Sequence, residues 1–108
     1  MKIPNCGRAF IAIGKIERYL LDSDHPDGGS KARFFIQSGF DSDTLSTALV
    51  MHAVENDVIE TETTLFGTKY VVEGLMESPL GLRINIRSVW IILNGTTDPK
   101  LITAYPSK

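Results

Sequence analysis

Cysteine is almost absent. The single Cys6 excludes an intrachain disulfide framework and any cysteine-based zinc site, and an unpaired thiol suits a reducing compartment, so a cytoplasmic location is expected. Long apolar runs are missing too. The stretch Phe10-Ile11-Ala12-Ile13 follows Pro4, Asn5, Gly7 and Arg8, and nothing approaches the roughly 20 apolar residues of a membrane span. No membrane partner is expected. An excess of positive charge is also lacking: 11 Lys and Arg stand against 13 Asp and Glu, for a net charge of −2 and a pI of about 5.6. That excludes the wide basic surface of a protein that grips duplex nucleic acid, but not a local cationic site. Histidine is scarce as well. His25 and His52 have no carboxylate at ligand spacing, and Gly28-Gly29-Ser30-Lys31 lacks the full phosphate-loop pattern, so neither a metal nor a cofactor is expected.

What is present describes an ordinary globular chain. With 108 residues, 43% hydrophobic and 22% charged, it can bury one core, and residues 1–108 are expected to form a single domain. Residues 13–22 place Ile13, Ile16, Leu20 and Leu21 at helical spacing, and the glycine- and aspartate-rich stretch 23–29 stops that helix. Ser30 suits the N-cap of a second helix, 31–38, with Ala32, Phe34 and Phe35 inward and Gly39 ending it. A third helix begins after Asp41 or Asp43 and runs to about Asn56, with Leu45, Ala48, Leu49, His52 and Ala53 as its apolar stripe.

From Val58 onward the period is two. Residues 58–65, 69–75, 82–93 and 101–105 read as strands separated by turn residues at Phe66-Gly67-Thr68, Ser78-Pro79-Leu80-Gly81 and Asn94-Gly95. The fold class that follows is α+β: about three N-terminal helices packed on one face of a four-stranded antiparallel meander sheet. On the longest strand, Leu82, Ile84, Ile86 and Trp90 point to the core, which sends Arg83, Asn85 and Arg87 to the open face. If Ile102 and Ala104 pack inward on the last strand, Thr103 and Tyr105 share that face with Arg87. A slip of one residue would reverse the set.

Four motifs carry a resemblance: His25-Pro26 followed by Gly29-Ser30-Lys31-Ala32 and Phe34-Phe35, then Gly67-Thr68-Lys69-Tyr70-Val71-Val72, then Arg87 with Val89-Trp90-Ile91, then Thr103-Ala104-Tyr105-Pro106. Over residues 13–106 the chain resembles a small bacterial family associated with toxin modules. That family is similar to the barnase, EndoU, colicin and RelE group of ribonucleases. The resemblance implies helices followed by a four-stranded antiparallel sheet, an RNA substrate, and a cognate antitoxin or immunity protein as partner. It also implies roles for His25, Lys31, Arg87 and Thr103, the counterparts of that group's histidine or lysine near the helices, cation on the sheet and hydroxyl near the last strand. The low basic content departs from the group. The sequence carries no signal for an oligomeric state.

Such residues suit RNA cleavage by the substrate's own 2′-hydroxyl, which needs proton transfer and cations at the phosphate but no metal. His25 is cast as general base or acid, Lys31 and Arg87 as phosphate-neutralising groups and Thr103 as a hydrogen-bond donor. Tyr70, Tyr105 and Arg83 are cast as substrate-binding. Each has a plain rival: His25 as a turn cap, Lys31 and Arg87 as solvated charges, Thr103 and Tyr105 as good strand formers. His52 and Trp90 read as packed core residues. The competing class is a non-catalytic interaction module of antitoxin or immunity type, which net acidity favours.

Overall fold

Gly14 adopts a φ of +84°, a left-handed conformation that an L-residue in a helix cannot continue from, so the first helix starts later than its apolar spacing predicts. In the computed structural model, which describes residues 1–22, 24 and 29–107 apart from the side chain of Ser30, that helix is one wide turn, Ile16–Leu20. Leu21 N–H donates to the Ile16 carbonyl five residues back at 2.7 Å. Ile16 and Leu20 are buried, whereas Ile13 lies outside the turn and is fully exposed. A short turn of 3₁₀ type, Cys6–Arg8, precedes it.

Two α-helices follow, α1 (Gly29–Gln37) and α2 (Ser42–Glu55). Gly39 takes a φ of +92°, as expected of a residue that ends a helix. Asp41 caps α2 reciprocally. Its carboxylate accepts from Thr44 N–H at 2.8 Å, and its own N–H donates to the Thr44 hydroxyl at 2.9 Å, which satisfies two otherwise orphaned donors. Leu45, Leu49, His52 and Ala53 are buried along one side of α2.

The strands are β1 (Val58–Thr63), β2 (Gly67–Glu77), β3 (Arg83–Leu93) and β4 (Lys100–Pro106). They form a four-stranded antiparallel sheet in the order β1-β2-β3-β4, the expected meander. Ile84, Ile86 and Trp90 face the helices and join Val72, Met76, Leu101 and Ala104 in one core with Phe35, Leu45 and Leu49. Leu82 departs from the expectation: it stands before β3 and is half-exposed. The register of β4 also differs. Val89 pairs with Thr103 but Trp90 pairs with Leu101, so Ile102 is the extra residue of a bulge and Leu101, rather than Ile102, is the buried one.

A polar network crosses this core. His52 Nε2 lies 3.1 Å from the Gly74 carbonyl, which can only accept, so Nε2 carries the proton and Nδ1 accepts from the Ser88 hydroxyl at 2.8 Å. Ser88 Oγ in turn accepts from the Trp90 indole N–H at 2.9 Å. Burial pushes the His52 pKa down, as desolvation of a cation requires. The expected packed histidine and core tryptophan are therefore parts of one satisfied unit. Among the described residues no helix is long and apolar enough to cross a membrane.

Candidate functional site

The N-terminal segment pairs along the outer edge of β4: Phe10 N–H donates to the Pro99 carbonyl at 2.9 Å, and Leu101 N–H donates to the Phe10 carbonyl at 3.0 Å. The chain then turns into Ile16–Leu20, and α1 packs against both this turn and β4. That packing carries two side chains to the middle of the edge strand. Lys31, on the first turn of α1, is half-buried. Its Nζ lies 3.3 Å from the Tyr19 hydroxyl and 3.5 Å from Thr103 Oγ1. It also stands 5.5 Å from the centroid of the Tyr105 ring, within cation–π range. Lys15 approaches the Tyr19 ring at 4.9 Å.

Arg87 continues the cluster one strand inward. It is the register partner of Tyr105 on β4 and of Glu73 on β2, so the three share the open face. Its Nε donates to Glu73 at 2.8 Å, and Glu73 first and the Tyr105 hydroxyl next favour its charged form. Ser107 Oγ donates to the same Glu73 oxygen at 2.5 Å. The Glu73 carboxyl is held below its usual range, first by the Ser107 hydroxyl and then by Arg87. The Tyr19 phenol is held below the ordinary phenol value, chiefly by its hydrogen bond to Thr103 and next by the Lys31 ammonium. Three cations and one carboxylate thus gather around two phenols and a threonine hydroxyl, a locally positive patch on a chain of net negative charge.

The structure brings Lys31, Thr103, Tyr105 and Arg87 together from three separate stretches of sequence. His25 lies outside the described residues. Tyr70 is elsewhere: it pairs with Trp90 and packs against the core on the helix side, opposite the face of Arg87. Arg83 shares that face but sits four residues along β3, roughly 13 Å away at strand spacing, exposed and opposite Glu77. Tyr19, Lys15, Glu73 and Ser107 complete the cluster without having been expected. The Glu73–Arg87 pair follows from the β2–β3 register, whereas Tyr19 has no local signal, because only the docking of its turn on β4 brings it there. A cavity of about 440 Å³ lies elsewhere, between α2 and the β2–β3 turn. An open patch of this kind suits an extended polyanion better than an enclosed small molecule.

The fold is similar to that of a solved chain from a contact-dependent growth inhibition toxin–immunity protein complex of Klebsiella pneumoniae 342. The TM-score is 0.74, with 15% sequence identity, over 95% of this chain and 97% of that one. No curated protein matches the sequence. Residues 2–108 match the model of a family described as a domain of unknown function, DUF6883.

Proposed function

We propose that this chain, which belongs to the DUF6883 family, is the RNA-cleaving half of a toxin–immunity pair. The observation that carries this reading is the convergence of Tyr19, Thr103 and Tyr105 within hydrogen-bond or cation–π reach of the Lys31 ammonium, with Arg87 beside them. Folding alone does not demand it, since each group could be solvated separately. The likeness in fold to a chain of a toxin–immunity complex supports the toxin-system half of the proposal.

In this mechanism the substrate's 2′-oxygen attacks the adjacent phosphorus and the bond from phosphorus to the 5′-oxygen breaks. The products are a 2′,3′-cyclic phosphate and a free 5′-hydroxyl. One group takes the 2′-proton and another returns a proton to the leaving oxygen, roles open to His25 and to the Tyr19 phenol. Lys31 stabilises the charge that builds on the phosphorane oxygens, as does Arg87 when Glu73 shares it with the phosphate. Thr103 donates a hydrogen bond, and Tyr105 offers a ring face to a base. No metal takes part.

A second reading, an immunity-type interaction module, is favoured by the pairing of Arg87 with Glu73 at 2.8 Å, which neutralises one of the cations. Induced expression in bacteria separates the two. The nuclease halts growth and fragments RNA, in the presence of EDTA as well as magnesium in vitro. Lys31→Ala, folded by circular dichroism, lowers cleavage by about a hundredfold or more. Harmless expression with intact RNA, or a folded Lys31→Ala variant of full activity, leaves the interaction module as the better account.

A further inference from the structure

Among the described residues, about half of the outer edge of one strand has no strand beside it, next to a helix. β2 runs to Glu77, but β1 pairs with it only as far as Val72, because the chain leaves α2 at Glu55 and enters β1 at Val58. The direction of the backbone groups on the uncovered stretch follows from the neighbours. Ser107 N–H donates to the Asn85 carbonyl, so Asn85 turns its backbone to β4 and Ile84 and Ile86 turn theirs to β2. Their partners Met76 and Gly74 then face β3, which leaves Glu73, Leu75 and Glu77 facing outward. The Gly67 carbonyl, of the same parity, accepts from Thr64 N–H on the β1 side at 2.8 Å, in agreement. Leu75 is about half-exposed.

Alongside this edge runs a groove made of two cavities that share Ala48 and Glu77. One, of about 210 Å³, lies between Met51, Glu55 and Leu75; the other, of about 440 Å³, is floored by Phe40 and Pro79. Ala48, Met51 and Glu55 recur at helical spacing on α2 and so form a continuous wall. Two carboxylates of α2, Asp43 and Glu55, stand among the lining residues of the two cavities, and among the described residues no lysine or arginine lines them. Outward-facing backbone groups that at Leu75 and Glu77 have no backbone partner among the described residues, an apolar floor and an acidic rim are the parts of a strand-addition site, where main-chain bonds hold the ligand and alternate side chains select it.

We propose that the uncovered end of β2 beside α2 docks an extended segment of a partner protein, apolar in its centre and basic at its ends, as an added strand. A second copy of this chain does not fit. Two β2 edges paired about Leu75 would set Glu73 of each copy against Glu77 of the other, and like charges directly opposite each other destabilise a ladder. The docking site is independent of the nuclease reading, since it shares no residue with the cluster except Glu73, whose backbone rather than side chain faces the groove.

The probe is a capped heptapeptide of alternating valine and threonine with a lysine at each end, titrated into the isotope-labelled chain. Its glutamate-ended counterpart serves as control. The expected result is slowed amide exchange at Leu75 and Glu77, by at least about tenfold, with the lysine-ended peptide alone. Met51→Lys, a change at an exposed position on α2, weakens binding by at least about tenfold while leaving the fold and any RNA cleavage intact. The inference is overturned if neither peptide protects these amides, or if both bind equally. It is also overturned if protection falls on the outer edge of β1, if a concentration-dependent homodimer protects the same amides, or if folded Met51→Lys binds unchanged. Because RNA cleavage is measured separately on the same variant, failure of the docking site and failure of the nuclease reading are told apart.

Discussion

Removing one hydroxyl, Ser88→Ala, leaves two buried groups without partners. Ser88 is fully buried, and its oxygen is at once the acceptor for Trp90 Nε1–H at 2.9 Å and the donor to His52 Nδ1 at 2.8 Å. Alanine is nearly the same size, so little packing is lost and no useful cavity opens for water. The cost is desolvation without compensation, about 1–3 kcal/mol for each orphaned group and therefore roughly 2–6 kcal/mol together. Set against the total of about 5–15 kcal/mol typical of a small domain, this is enough to lower the urea midpoint severely or to unfold the chain near physiological temperature. Trp90 is the sole tryptophan, so its fluorescence follows unfolding at the network itself, and linear extrapolation gives the change in free energy. A loss below about 1 kcal/mol with an unchanged urea slope refutes the claim that this hydroxyl satisfies both rings.

The same network sets a pH dependence. Burial lowers the His52 pKa from its ordinary 6.5, so the unfolded chain binds the proton more readily than the folded one. The corresponding stability is fully present above about pH 6.5 and is lost as pH falls toward the depressed value. Urea midpoints at pH 7.5 and 5.5 should show the drop, and an imidazole proton resonance of His52 that titrates in the native state at its ordinary pKa contradicts it. At the surface cluster, ultraviolet titration should find one phenol more acidic than usual. Tyr19→Phe should remove that component, while Thr103→Val and Lys31→Met should each raise its pKa, because the Thr103 hydroxyl and the Lys31 ammonium hold it down. A Tyr19 phenol that titrates at the ordinary phenol value rules out the arrangement.

Local rules made much of this protein readable from its residues. The period-two alternation of Ile84, Ile86 and Trp90 placed them on the buried face and sent Arg87 to the other, because side-chain parity in a strand is independent of what the strand packs against. Gly39 marked the end of α1, and Asp41 or Asp43 the start of α2; the reciprocal cap with Thr44 selects Asp41. In two places where the reading went astray, a backbone event had intervened. Gly14 shortened the first helix and exposed Ile13, and a bulge at Ile102 put Leu101 in the core. The candidate site divides in the same way. Arg87, Thr103 and Tyr105 share a face by sheet parity, and the expectation that Tyr70 would join them conflicts with its register opposite Trp90. Tyr19 and Lys31 reach Thr103 only because a helical turn and α1 dock on the free edge of β4. That docking depends on contacts between segments distant along the chain, whose geometry comes from packing the whole core and is encoded in no single stretch of sequence.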